Sequence, residues 1–339
     1  MKKQGYNSSL RQIIPLITSL VTKSKPHRLG SVSEIVAVVL DTLPQLTAVT
    51  KLYIIHDHSG ACRDDPLILQ LLRDIWQIFE DRLQSLQVQV AFENLELLLP
   101  TSLHLPYLKV LTVNAEGFSS ATAIACESII PTTIQSHASS LRNVSFMTQH
   151  AAINPQPIFQ SLQNLPCLQA IDLSFPFIGR PFPAYNMLYN CRQHLKFLSL
   201  SFGTYMGGHT CHSLSLFHEN WCTLNLPHIR ELRINPPIML RVLSQEFVDY
   251  IHRFAQSLIS LWIKPNLRLD YREAKKLCSI FPDFLSLRNL TIYIYWLCPD
   301  ILALLAQTLP GLQTLSLLYD HIVPNRETLQ YKKLPYLVS

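Results

Sequence analysis

Aliphatic residues recur along the chain in one spaced pattern: an aliphatic residue, two variable residues, a second aliphatic, one variable residue and a third aliphatic. Eight clear copies of this pattern begin at Leu108, Leu141, Leu168, Leu195, Ile229, Leu258, Leu287 and Leu312. Two less regular copies precede them and begin at Val49 and Leu83. Successive copies start 25 to 34 residues apart, and a Leu-Pro pair precedes five of them. The pattern is therefore a true repeat and not a by-product of leucine abundance.

Each copy predicts a short β-strand, because its last three pattern positions alternate between aliphatic and variable residues. The segments between copies are long enough for a helix, and several begin with residues that favour a helix start. Ser244, for example, precedes a helix predicted over residues 246–255. Similar start signals, two of them resembling capping boxes, occur at Ser31-x-x-Glu34, Asp270-x-x-Glu273 and Asp65-Pro66.

One strand and one helix per copy, with this motif and this spacing, are typical of leucine-rich repeats. We therefore predict an α/β fold, a leucine-rich-repeat solenoid of about ten irregular repeats in a horseshoe, with a parallel concave sheet and outer helices. Residues 1–45 are predicted to form an N-terminal helical cap, and residues 46–339 the solenoid. Leu334-Pro335-Tyr336-Leu337 opens a last repeat that is incomplete, which we interpret as truncation and not as a degenerate cap.

Composition and charge narrow the classes of function. Hydrophobic residues make up 48% of the chain and charged residues 15%, as in a folded protein with a large core. The net charge of +5 is a mild excess without a basic run, so no nucleic-acid partner is expected. No apolar stretch is long enough to span a membrane, so no membrane partner is expected either. The eight cysteines form no Cys-x-x-Cys pair and are interpreted as reduced thiols of a cytoplasmic or nuclear protein.

The strand motif, the helix-length spacers and the Leu-Pro-x-Leu segments resemble the repeat region of fungal F-box/leucine-rich-repeat proteins, over approximately residues 40–337. The resemblance implies that the solenoid captures the substrate of a cullin–RING ubiquitin ligase, while an N-terminal F-box docks a Skp-type adaptor. Residues 1–45 lack the Leu-Pro-x-Glu-like opening of an F-box, since Leu43-Pro44-Gln45-Leu46 belongs to the first repeat. Adaptor binding is therefore expected only if an F-box is supplied elsewhere.

Chemistry-bearing residues concentrate in one segment, which holds His209, Cys211, His212, His218 and Cys222. Its two cysteines are far apart for a zinc site, which favours short paired spacings, so polar loop residues explain the segment more simply. The glycines at 203, 207 and 208 lack the Lys-Ser/Thr of a phosphate-binding loop, and no catalytic motif is present. We expect no enzyme, no cofactor and no metal. The alternatives are a ligand-binding protein or enzyme that uses this segment, and a scaffold or decayed gene product.

The variable strand positions favour binding of another protein through the concave sheet. In most repeats these positions hold small polar residues. Three successive late repeats instead carry larger side chains, which we predict to be the partner-binding residues: Arg233, Trp262, Lys264 and Tyr293. Tryptophan, tyrosine and arginine dominate the binding energy of protein interfaces. Because adjacent repeats stack side by side, we expect Arg233 to lie beside Trp262.

Overall fold

The structure is a computed structural model that describes residues 41–55, 74–116, 120–148, 150, 153–176, 184–203, 223–235, 243–263 and 269–324. Several sequence-based predictions lie outside the described residues. They concern most of the N-terminal cap, the helix starts at Ser31 and Asp65, and the incomplete last repeat after residue 324.

Each of the ten sequence motifs forms a β-strand, and the ten strands make one parallel sheet in the order of the sequence. The strands are β1 (Lys51–Ile55), β2 (Ser85–Ala91), β3 (Val110–Glu116), β4 (Asn143–Thr148), β5 (Ala170–Pro176), β6 (Phe197–Gly203), β7 (Glu231–Asn235), β8 (Ser260–Ile263), β9 (Asn289–Leu297) and β10 (Thr314–Ile322). This arrangement confirms the α/β leucine-rich-repeat solenoid.

The aliphatic positions of the motif form the core between the sheet and the outer layer. In β3, Leu111, Val113 and Ala115 are at most 1% exposed, whereas the residues between them are half-buried on the other face. The same positions of neighbouring strands are register partners, as in the pairing of Leu111 with Val144 of β4. Buried side chains therefore form one continuous core along the stack. A unit of this kind buries its apolar face only against its neighbours, which makes the repeats a single domain.

Helices occupy most of the spacers between strands that the structure describes, on the outer side of the sheet. Those with both ends among the described residues are α1 (Leu95–Leu98), α2 (Ser120–Ser136), α3 (Gln156–Leu162), α4 (Tyr185–Cys191), α5 (Gln245–His252), α6 (Tyr271–Cys278) and α7 (Pro299–Thr308). A small rotation between successive repeats gives a solenoid its curvature, and we call the face of the sheet opposite the helices the concave face.

The predicted helix starts at Ser244 and Asp270 are confirmed. The Ser244 hydroxyl accepts a hydrogen bond from the Phe247 N–H at 3.2 Å and so caps α5. Asp270 and Glu273 form a complete capping box at the start of α6. The buried Glu273 carboxylate also accepts a bond from the Leu243 N–H at 2.7 Å, which ties the capping box to the preceding repeat. Burial raises the pKa of this carboxyl.

A buried histidine after α2 makes the stability of the fold depend on pH. His137 is 2% exposed; its Nε2 accepts a bond from the Leu105 N–H at 2.9 Å, and its Nδ1 donates to the Thr133 carbonyl at 2.7 Å. Burial lowers the pKa of His137 below 6.5. As the pH falls, the unfolded chain therefore binds a proton at His137 at a higher pH than the folded chain does. The folded chain resists protonation because a protonated Nε2 would face the Leu105 N–H.

The stability that His137 contributes is thus present above pH 6.5 and is lost as the pH falls through the lower, folded pKa. We expect the melting temperature to decline below that pH and the decline to be smaller in the His137→Gln variant. Thermal melts followed by circular dichroism over a pH series measure both curves. Parallel curves for the two proteins would show that another group causes the acid sensitivity.

The last strand of the sheet leaves apolar side chains exposed. Among the described residues β10 pairs with β9 alone, and on its inner face Leu315 is 41% exposed and Tyr319 46% exposed. Exposed apolar side chains at the edge of a sheet favour association with a second copy of the chain. We predict concentration-dependent self-association through β10, relieved by an appended polar helix. Sedimentation velocity measures the self-association. A chain without the appended helix that stays monomeric at high concentration would contradict the prediction.

Candidate functional site

Arg233 and Trp262 lie side by side at the centre of the candidate site. They are register partners on β7 and β8, so their side chains leave the concave face of adjacent strands. The Arg233 guanidinium carbon lies 4.8 Å from the centroid of the Trp262 ring. The predicted proximity of the two residues is confirmed, and the distance is that of a cation–π contact.

A second ring completes the arrangement on the opposite side of the arginine. Phe197 begins β6, and its ring centroid lies 5.1 Å from the Arg233 guanidinium carbon. The guanidinium is therefore held between rings from the strands on either side of it. We call Phe197, Glu231, Arg233 and Trp262 the concave patch.

Glu231 fixes the direction of the guanidinium within the concave patch. Its carboxylate accepts a hydrogen bond from the Arg233 Nε at 2.7 Å. The two side chains are about one third exposed, so solvent screens the pair and its contribution to folding stability is small. Its main effect is to orient Arg233. An acidic group of a partner would have to compete with Glu231 for the guanidinium.

The burial of β8 shows that the strand register was assigned correctly. Leu261 and Ile263 are at most 1% exposed and belong to the core, whereas Trp262 between them is half-buried on the concave face. Its neighbour in register on the far side is Thr291 of β9, a small polar residue. Part of the indole is therefore open to a partner.

The other two predicted site residues are not shown to join the concave patch. Tyr293 is half-buried on β9, and its hydroxyl donates a hydrogen bond to the Asp320 carboxylate on β10. It therefore links the last two strands of the sheet. Lys264 lies outside the described residues.

Small polar side chains border the concave patch towards the N-terminal repeats. Ser199 is the register partner of Arg233 on β6 and is 2% exposed, although it lies on the concave face. Next to it, the Asn235 side-chain amide donates to the Ser201 hydroxyl at 2.8 Å. Both serines are buried, so they offer a partner little surface of their own.

Sequence reasoning missed Phe197, Glu231 and Asp320. The predicted site residues come from the fifth and seventh positions of the repeat motif, whereas Phe197 and Glu231 occupy the third. A comparison of that position would have singled out an aromatic residue and an acid next to Arg233. Asp320 lies beyond the repeat motif, in the C-terminal part of β10. Its contact with Tyr293 therefore requires β10 to extend past the motif.

The described residues offer little reactive chemistry. They contain no group of three or more metal-ligating side chains, and the segment from His209 to Cys222 lies outside them, as do Gly207 and Gly208. Burial raises the pKa of the Cys191 and Cys278 thiols to about 12, so both stay protonated at neutral pH. No helix in this part of the chain combines the length and hydrophobicity needed to cross a membrane.

Comparison with known proteins adds little to this description. No protein-family model matches the chain, and no curated protein matches it. Among solved structures the chain is similar to one in the crystal structure of a TLR13–ssRNA13 complex, with 16% sequence identity and a TM-score of 0.36. The match covers 78% of this chain and 32% of that chain, so this chain spans about a third of that protein's length. The identification of the fold rests on the repeat motif and the parallel strands.

Proposed function

We propose that the chain is a recognition protein that binds another protein through the concave patch. One observation carries the proposal: the Arg233 guanidinium is held between the rings of Phe197 and Trp262 and oriented by Glu231. Three neighbouring strands of one sheet supply these side chains. Recognition, and not catalysis, is the function that this arrangement serves.

The arrangement favours tight binding for two physical reasons. Aromatic rings and arginine contribute most of the binding energy in protein interfaces, particularly where a ring of weaker contacts excludes water around them. Side chains that are already fixed on paired strands lose little conformational entropy when a partner binds. A partner that covers the indole and the exposed edge of the guanidinium gains from both effects.

Capture of binding proteins by the purified chain tests the proposal. The Arg233→Ala variant should lose the proteins that the unchanged chain retains, because the cation and its orienting contacts are removed. Arg272→Ala is the matched control, since Arg272 is exposed on α6 on the outer side. Retention of the same proteins by all three baits would refute binding at the concave patch.

A finer proposal follows from the resemblance to F-box/leucine-rich-repeat proteins. In this proposal the solenoid is the substrate-binding region of a ubiquitin-ligase receptor, and a separate F-box supplies the adaptor contact. The support is the repeat motif with its Leu-Pro-x-Leu segments. Gel filtration with a Skp-type adaptor tests it: the chain alone should elute separately, and a fusion with an F-box should co-elute. A stable complex with the unfused chain would show that residues 1–45 contain the docking segment.

A further inference from the structure

The residue that follows the first aliphatic of each motif forms a column along the edge where the strands begin. Each column residue donates its N–H to the carbonyl oxygen of the preceding column residue at 2.7 to 2.8 Å. In order, the column consists of Thr50, Gln84, Lys109, Arg142, Gln169, Lys196, Arg230, Ile259, Arg288 and Gln313. Hydrogen bonds of this kind place consecutive members about 4.8 Å apart. Side chains that are 25 to 34 residues apart in sequence are thus neighbours in space.

The column is strongly basic. Lysine and arginine account for 28 of the 339 residues, so ten positions would carry about one of them by chance. The column carries five and contains no aspartate or glutamate. Of these five, Arg142, Lys196 and Arg230 are exposed. This enrichment cannot be explained by core packing, because the column lies outside the core.

The column cations are not neutralised by carboxylates in the part of the chain that the structure describes. Lys109 and Lys196 donate to the side-chain oxygens of Gln84 and Gln169, at 3.0 and 3.4 Å. Glu231 follows Arg230 in sequence, but its carboxylate is bound to Arg233 on the concave face. Like charges on neighbouring column positions repel one another, and a bound anion relieves that repulsion.

A pocket of about 210 Å³ opens at the middle of the column. Its lining combines two cations, two glutamine side chains and two histidines: Gln169, Gln193, His194, Lys196, His228 and Arg230. Lys196 and Arg230 occupy neighbouring column positions, so both side chains can bind the same anionic group in the pocket. Paired cations with amide donors suit a dianion better than a single carboxylate, and a phosphate monoester carries about two negative charges at neutral pH.

We infer that this pocket binds the phosphate group of a phosphorylated segment of the protein partner, and that the remaining column cations bind acidic residues beside it. The inference rests on the proposed function, since the segment belongs to the partner that covers the concave patch. Arg230 lies immediately before β7 and precedes Arg233 by three residues, a distance of about 10 Å along an extended chain. A partner segment that crosses this edge of the sheet can contact both the pocket and the concave patch.

A protein segment fits this edge better than a single-stranded nucleic acid does. Surfaces that bind single strands alternate cations with aromatic side chains on which the bases stack. None of the ten column residues is phenylalanine, tyrosine or tryptophan. The aromatic residues of the concave patch lie on the face of the sheet, where Arg233 already occupies the space between their rings.

Fluorescence anisotropy with three labelled probes tests the inference. The probes are a peptide with one phosphoserine flanked by glutamates, its unphosphorylated twin, and an oligouridylate of the same length. The phosphopeptide should bind about tenfold more tightly than its twin, since phosphate adds charge-assisted hydrogen bonds to Lys196 and Arg230. The oligouridylate should bind more weakly than the phosphopeptide.

A matched pair of variants locates the site. Lys196→Ala with Arg230→Ala should abolish the preference for the phosphopeptide, whereas Arg272→Ala with Lys275→Ala, which removes the same charge from exposed positions of α6, should preserve it. Trp262→Ala should also preserve it, so failure of the concave patch and failure of the pocket are distinguishable. Circular dichroism melts establish that each variant is folded.

Three outcomes would overturn the inference. Equal affinity for the phosphopeptide and its twin would show that the pocket does not recognise phosphate. Equal or tighter binding of the oligouridylate would assign the column to nucleic acid. An unchanged preference in the Lys196→Ala, Arg230→Ala variant would place the phosphate site elsewhere on the chain.

Discussion

Replacing Trp262 with alanine is expected to weaken partner binding by about 2 kcal/mol, or about thirtyfold in affinity. The substitution removes the ring that covers one side of the Arg233 guanidinium, together with the part of the indole that is open to a partner. Isothermal titration calorimetry with a captured partner measures the loss. The melting temperature should change little, because the core beneath is formed by Leu261 and Ile263.

Tyr107→Ala is the matched control for this prediction. Tyr107 is an aromatic residue that is 57% exposed in the loop before β3, away from the concave patch. Its removal should leave the affinity unchanged. If Trp262→Ala unfolds the protein while Tyr107→Ala does not, the indole supports the fold and is not a binding residue.

Replacing Phe146 with alanine is expected to reduce the free energy of unfolding by about 3 to 5 kcal/mol. Phe146 is completely buried in β4, and its ring centroid lies 5.4 Å from that of Phe175 in β5. Phe175 in turn contacts Phe159 of α3. The substitution leaves a cavity at the point where two repeats and the helical layer meet. It therefore weakens the packing between two repeats as well as the packing within one repeat.

Chemical denaturation followed by circular dichroism measures the effect of Phe146→Ala. Phe146→Leu is the matched variant: it keeps the position apolar and fills part of the cavity, so its cost should be clearly smaller. A loss below about 1 kcal/mol for the alanine variant would show that the repeats around β4 do not depend on this aromatic cluster.

The sheet was predictable from sequence because each strand repeats the same local pattern. The alternation in β8 and β9, for example, determines which residues face the core, and stacking of repeats then determines which residues are neighbours. The capping box of Asp270 and Glu273 was predictable because both hydrogen bonds are local. The bond from Leu243 to Glu273 was not, because it joins two repeats through a segment of irregular length.

The composition of the concave patch was only partly predictable. Arg233 and Trp262 stand out as large residues among small ones, and the register that joins them follows from the motif. Their contacts with Phe197 and Glu231 depend on side-chain direction, which the motif does not specify. A guanidinium at that position has several possible partners, and only the three-dimensional arrangement shows which of them it contacts.

The basic column could not be predicted from the pattern of charges along the sequence. Lys196 and Arg230 are 34 residues apart, so the sequence contains no basic run and its net charge of +5 looks diffuse. In the solenoid the same residues are hydrogen-bonded neighbours. In a repeat protein, charge has to be compared between equivalent positions of successive repeats, because those positions are adjacent in the folded chain.

Site-specific photo-crosslinking tests most directly whether the concave patch binds a protein partner. A photoreactive residue at position 291 lies on the concave face beside Trp262, and one at position 272 lies on the outer side of α6. The proposed function predicts a crosslinked partner from position 291 that disappears when Trp262→Ala is added, and none from position 272. A crosslink from position 272 alone, or one from position 291 that survives Trp262→Ala, would contradict it.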